Sequence, residues 1–236
     1  MILGKNLPLS RDGILYGVDD QVKIACNDCK GCTKCCENMD DTIILDPYDI
    51  WQLTHKLKIS GGGKVNFDIL VSEDGPLELG MHDGVILPHM KMVATEDENK
   101  GVCSFLGSNG RCSIHFCRPG MCRLYPLGRL FEENEEGEVS LGYFILNEEL
   151  GCPIEDTSYT TVDSWLGYAD RDKYQDYQIK WRNVRRALRE AGESEDADMN
   201  VLEKILLDCL GHFFAHKYGE DFFAEFDGLY SEWVAR

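Results

Sequence analysis

Between Cys26 and Cys36 the chain reads CNDCKGCTKCC, five cysteines in eleven residues. Cys26, Cys29, Cys32 and Cys35 advance in three C-x-x-C steps, and Cys36 follows directly. Apolar packing gives no reason to crowd thiols in this way. A C-x-x-C turn does: it lets two thiolates converge on one metal, which is why the spacing recurs in zinc and iron–sulfur sites. The chain holds 11 cysteines, an odd number, so no disulfide scheme within it pairs them all. Metal ligation is the chemistry this run is suited to.

Beyond the run come Cys103, Cys112, Cys117, Cys122, Cys152 and the distant Cys209. The three successive steps resemble the ligand loop of a ferredoxin, and Cys152-Pro153 matches the Cys-Pro that closes the bacterial ferredoxin run. Four thiolates also suit a closed structural zinc site, and nothing in the spacing excludes it. The adjacent pair sets a limit. In an extended segment successive side chains point to opposite sides, so Cys35 and Cys36 are not expected on one mononuclear ion. They would serve two sites, or one would be a buried or reactive thiol.

The stretch CSFLGSNGRCSIHFCRPGMCRLYP, residues 103–126, supplies the second half of the constellation. Its GSNG predicts a hairpin that brings Cys103 and Cys112 together, and the Arg118-Pro119 turn then presents Cys122. With CKGCTKCC at 29–36 ahead of it, this pattern resembles the CxxCxxCC cysteine-cluster proteins, described as zinc- or iron-chelating. Flagellin lysine N-methylases are relatives thought to carry an iron–sulfur cluster and to use S-adenosylmethionine. The resemblance spans roughly 26–153 and leaves out the C-terminal helices. It nominates Cys29, Cys32, Cys35, Cys36, Cys103, Cys112, Cys122 and Cys152 as metal ligands. Arg118, Pro119, Arg123, Tyr125 and Pro126 fall on its other recurrent positions, with Arg118, Arg123 and Tyr125 as candidates for cofactor contact. Cys26 and Cys117 go beyond the pattern, and His115 stands where an aromatic is common, as a ligand or as its substitute. The cofactor implied is a 4Fe–4S cluster, with Zn2+ as the alternative and S-adenosylmethionine in the methylase-like case.

Arg118 and Arg123 flank expected ligands, where guanidinium groups offset thiolate charge and donate hydrogen bonds; pairing with surface acids is their other reading. Cys209, His212 and His216 are spaced to share one helical face, but the aromatics around them favour packing. His82 and His89 flank GVILP at an odd separation, which places them on opposite faces of a regular strand. SGGGK at 60–64 is a flexible turn, since no GKS/T follows it to make a phosphate loop.

Around these residues the sequence predicts an α+β fold: a cysteine-rich, metal-bound core with short antiparallel strands, residues 1–153, and a helical C-terminal segment, 154–236, packed on it. DPYDIWQLTHKL predicts a helix capped by Asp46, with Pro47 first and Asp49 three residues after the cap. KVNFDILVS, GVILPHMKMVAT, GVCSFL, RCSIHF and VSLGYFIL read as β-like runs, and EENEEGE at 132–138 as a solvated acidic loop. Tyr174, Tyr177, Trp181, Val184 and Leu188 mark one face of a long helix, whose other face carries Lys180, Arg182, Arg185, Arg186 and Arg189, solvated or docking. Two more amphipathic helices follow. Phe222, Phe226, Leu229, Tyr230 and Trp233 form a stripe that suits either the core or a partner, and a protein partner or a homodimer through these helices is expected.

Composition narrows the function. The 236 residues are 43% hydrophobic, enough for a real core. The net charge of −18 repels phosphate backbones and anionic membranes, so nucleic-acid binding is not expected. MILGKNLPLSRDG lacks the features of a secretory signal, and no apolar run is long enough to span a membrane. A cytoplasmic location is therefore expected, where grouped thiols mean metal or redox chemistry. The reading is a metal-binding protein whose iron–sulfur cluster or zinc is structural or redox-active; the alternative is an S-adenosylmethionine-using protein lysine N-methyltransferase. No glycine-rich strand–turn–helix fingerprint for such a cofactor is present.

Overall fold

The computed structural model describes residues 2–3, 9–24, 33–58, 64–95, 101–147, 158–194 and 198–236. Cys26, Cys29, Cys32, Cys152 and the glycines of SGGGK lie outside the described residues. Short strands open the chain: β1 (Ile2–Leu3) pairs antiparallel with β2 (Ile14–Leu15), and β3 (Gln21–Lys23) waits for a partner far along the sequence.

The first helix, α1 (Pro47–Lys56), starts where the sequence places it. Asp46 accepts from the Asp49 amide and Asp49 accepts in return from the Asp46 amide, with Pro47 at the first turn. This reciprocal cap satisfies two otherwise orphaned donors. α2 (Phe67–Leu70) corrects the strand expected at KVNFDILVS: Asn66 accepts from the Ile69 amide at 2.9 Å and winds the segment into a single capped turn. Gly75 lets the chain fold back tightly, since a Cβ there would lie 2.2 Å from the Leu70 carbonyl oxygen.

Two hairpin pairs follow. β4 (Leu77–His82) pairs with β5 (Val85–Met90), and β6 (Met92–Ala94) with β7 (Gly101–Cys103). The RCSIHF run is not a strand. It closes into a 3-10 turn at His115–Cys117 because Ser113 bonds back to the Phe105 carbonyl through both its amide and its hydroxyl. α3 (Gly120–Leu124) leads through a cis Tyr125-Pro126 bond into the longest hairpin, β8 (Leu127–Glu133) with β9 (Val139–Ile145). β10 (Tyr159–Thr161) then returns to pair with β3, and α4 (Val162–Leu166) follows it.

The C-terminal part is helical as expected. α5 (Arg171–Glu193) buries Tyr174, Tyr177, Trp181, Val184 and Leu188, the face its periodicity marks. α6 (Met199–Cys209) runs into a π-helical turn, Leu210–Phe214, and α7 (Phe222–Val234) closes the chain. The main core joins α1, α2 and β5 to α5, α6 and α7; a smaller one joins Val22 and Ile24 to Leu127, Tyr143, Ile145 and Val162. Both draw residues from either side of residue 153, so the helical segment packs on the cysteine-bearing half.

The aromatic stripe of α7 faces this core. Phe222 and Phe226 are fully buried, and Leu229, Tyr230 and Trp233 pack against them. Phe226 meets the Tyr177 ring edge-on at 4.7 Å between centroids. Among the described residues no helix is long and apolar enough to cross a membrane. Truncating Phe226 to Ala removes a fully buried ring and is expected to cost about 3–5 kcal/mol. Urea unfolding checks this; a loss under about 1 kcal/mol would mean that α7 does not hold the core.

Candidate metal centre

The second half of the N-terminal cysteine run folds as a 3-10 turn, Lys34–Cys36, with the Cys36 amide bonded to the Thr33 carbonyl. This overturns the expectation that Cys35 and Cys36 point apart. A 3-10 turn rotates each residue by about a third of a circle rather than half, and the two sulfurs stand 3.9 Å from each other. Asn38 then ties the turn to β7: its amide donates to the Gly101 carbonyl at 2.8 Å and its side-chain oxygen accepts from the Gly101 amide. Cys35 and Cys36 are thereby held beside Cys103.

Cys103 and Cys112 sit in two copies of one local turn, C-S-F-L and C-S-I-H. In each, the amide three residues on bonds to the cysteine carbonyl, Leu106 to Cys103 at 2.9 Å and His115 to Cys112 at 3.3 Å. In each, the amide two residues on, of Phe105 or Ile114, donates to the sulfur. Such amides favour the thiolate, the form that binds metal. A Leu106–Cys112 bridge and the Gly107–Gly110 turn bring the two copies together, as GSNG predicts. Cys122 rides on α3, whose first amide, Gly120, donates to Asp49 of α1 at 2.8 Å. A Cβ at Gly120 would come within 3.1 Å of the Tyr174 hydroxyl, so glycine allows α3 to seat this closely.

Cys35, Cys36, Cys103, Cys112 and Cys122 line one cavity of about 230 Å³, with Ile43, Met90 and Ile114 as apolar wall. Its electrostatics are those of thiols short of a cation. Burial raises Cys103 and Cys112, partly countered by the two amides, and pushes Cys122 well above the ordinary thiol range, aided by the charges of Cys35, Cys103 and Cys112. Cys35 and Cys36 move in opposite directions: the hydrogen bond between them lowers Cys35, and the same bond, then burial, raises Cys36. Arg118, on the cavity wall, favours ionisation of Cys35 and Cys112.

The other nominated residues divide. His115 lines the cavity, but its Nε2 lies 3.2 Å from Arg118 Nη1. A guanidinium only donates, so that lone pair is taken and His115 supports Arg118 rather than a metal. Arg123 and Tyr125 are not on the cavity wall. Arg123 donates to the Leu166 carbonyl at 3.1 Å and lies over the Tyr168 ring, and the Tyr125 carbonyl accepts from Trp165. Cys117 is buried in the main core, its thiol pushed up to about 11 by burial.

Cys209, His212 and His216 do not form a site. Cys209 is buried, His212 contacts the Leu229 carbonyl and His216 pairs with Glu225. His82 and His89 correct the single-strand expectation: they lie on β4 and β5, on either side of a turn, with rings 5.3 Å apart across the hairpin. Among the described residues, no three His, Cys, Asp or Glu side chains form a group that could hold one metal ion. The sequence did not reveal the two amide-to-sulfur turns as such, although the repeated C-S-x signalled them, nor the burial of Cys117.

The family model of the CxxCxxCC domain, described as a "putative zinc- or iron-chelating domain", matches residues 28–141. Residues 28–141 are thus similar to the CxxCxxCC domain. No curated protein and no solved structure matches the chain. The matched span holds all five thiols of the cavity and ends before Cys152 and the C-terminal helices.

The thiols that line the cavity are of the donor type this domain is described to chelate, although no three of the described ones are gathered around a single point. Five thiols, four of them favoured in the protonated form and three met by backbone amides, can exchange their protons for a metal cation. Cys112→Ser is therefore expected to lower the metal bound per chain, whereas Cys209→Ala leaves it unchanged. Elemental analysis of the purified variants tests this. Equal losses in both would remove the cavity as the site.

Proposed function

We propose that this domain holds an iron–sulfur cluster, in a structural or redox role. The observation that carries the reading is that five thiols from three separate segments line one cavity. A structural zinc ion takes four thiolates at about 2.3 Å. The cavity offers a fifth donor and about 230 Å³, which suits a polynuclear cluster better than one ion. Amide donors to the sulfurs and a nearby guanidinium are also the features by which a protein tunes a cluster's potential.

When bound, the cluster would supply a cation to neutralise the thiolates and a centre able to take up an electron. The chain's own residues would hold it through Cys35, Cys36, Cys103, Cys112 and Cys122, joined by whichever of Cys29, Cys32 and Cys152 reach it. Arg118 would offset its charge. Because the three segments otherwise meet through short two-stranded pairings, ligation would also staple the loop-rich half of the chain. S-adenosylmethionine-dependent lysine N-methylation is less well supported, since two of the three residues nominated for cofactor contact, Arg123 and Tyr125, do not line the thiol cavity.

Protein purified without oxygen is expected to carry iron and acid-labile sulfide in near-equal amounts, with a broad visible absorption that bleaches on reduction. Zinc without sulfide would contradict the cluster and leave a structural metal site.

A further inference from the structure

A second cavity, of about 300 Å³, lies on the other side of α3 from the thiols: Pro119 and Cys122 line the first, Gly120 and Met121 the second. Five arginines line it, Arg129 from β8 and Arg182, Arg185, Arg186 and Arg189 from α5, against three aspartates, Asp46, Asp49 and Asp83. In a chain of net charge −18 this surplus of guanidinium groups is local and specific.

The acids nearby do not use it up. Both oxygens of Asp46 are engaged, one by the Asp49 amide and one by Gln178, although its charge does favour that of Arg129. Both oxygens of Asp49 accept backbone amides, from Asp46 and Gly120. Asp83 takes one Nη of Arg185, at 3.1 Å, and leaves Arg185 Nε buried without an acceptor. Arg182 and Arg186 both reach one oxygen of Glu133, at 3.1 Å each, and Arg189 pairs loosely with Glu193.

Arg129 is different. Among the described residues it has no hydrogen-bond acceptor and no ion-pair partner; its recorded contact is the Phe131 ring, 5.4 Å away. No Arg129 nitrogen is both sealed from solvent and unpartnered, so its donors stay open to the cavity, and a planar fork of donors matches a carboxylate or phosphate in two-point geometry. The remaining walls include Leu87, Phe131, Tyr174 and Trp181, so the cavity combines a cationic end with apolar sides, as small-molecule sites do.

We infer that this cavity binds a small organic anion bearing a carboxylate or phosphate, with Arg129 as its principal anchor and Arg185 as the second. Glu133 already shows how two of these arginines take a single carboxylate oxygen. The inference does not depend on which metal the thiols hold.

The test is calorimetric titration of the intact, metal-loaded protein with inorganic phosphate and with malonate, at ionic strength fixed with chloride. Saturable binding of either is expected, weakened tenfold or more in Arg129→Gln, and the stronger of the two identifies the headgroup class. Arg185→Gln, on α5, is the second variant should the first fail to fold, and is expected to weaken binding in the same sense. Lys173→Gln, an exposed residue outside the cavity, should leave it unchanged. No saturable heat up to about 10 mM of either probe, or equal affinity in the cavity variants and the parent, would overturn the inference.

Discussion

Five thiols crowded into one small cavity cannot all ionise unless a cation joins them. Each thiolate would be taken out of water and would repel the others at short range, and both effects favour the protonated forms. Cys103, Cys112 and Cys122 are shifted upward chiefly by burial, and Cys36 first by its hydrogen bond to Cys35 and then by burial. Against them stand three backbone amides and one arginine, far less than four or five negative charges require. The site is thus built for thiolates without the charge to sustain them, and a bound metal resolves that conflict. Ligation there would add to the core packing and short strand pairings that already bring those segments together.

What positions those segments is a conventional core. The aromatic faces of α5 and α7 close on α1, and α1 in turn holds α3 through the bond from Gly120 to Asp49. That one contact sets the depth of Cys122 and also divides the thiol cavity from the arginine-lined one. The two cavities therefore share a wall, and a change of charge in one is felt across only a few residues by the other. In a chain of net charge −18, five arginines thus gather on the far side of α3 from the thiols.

Much of this was legible in the sequence where the signal is local. The cap at Asp46, the 3.6-residue face of α5 and the turn at GSNG depend on neighbours within a few positions, and they form as read. The α+β class and the metal-binding character of residues 28–141 were legible too, the first from alternating short runs and long periodic ones, the second from cysteine spacing. The errors have one cause. Cys35 and Cys36 were expected to diverge, KVNFDILVS and RCSIHF to extend, and His82 and His89 to share a strand. In each case a side chain or a turn residue redirects the backbone: Asn66 caps a helix, Ser113 folds a run back on Phe105, and Asp83-Gly84 reverses the chain between the two histidines. The arginine-lined cavity was not legible at all, because Asp46, Arg129 and Arg185 come from segments far apart in the sequence and meet only through the core.

The measurement closest to the central claim is amide hydrogen exchange on the reduced protein, before and after its metal is stripped by a chelator. If ligation by the thiols is what holds these segments, protection should fall over residues 33–38 and 101–124 while the helices α5 and α7 keep theirs, since their aromatic packing needs no metal. Unchanged protection over 101–124 after complete removal of the metal would contradict the account, because the cavity would then be held by packing alone.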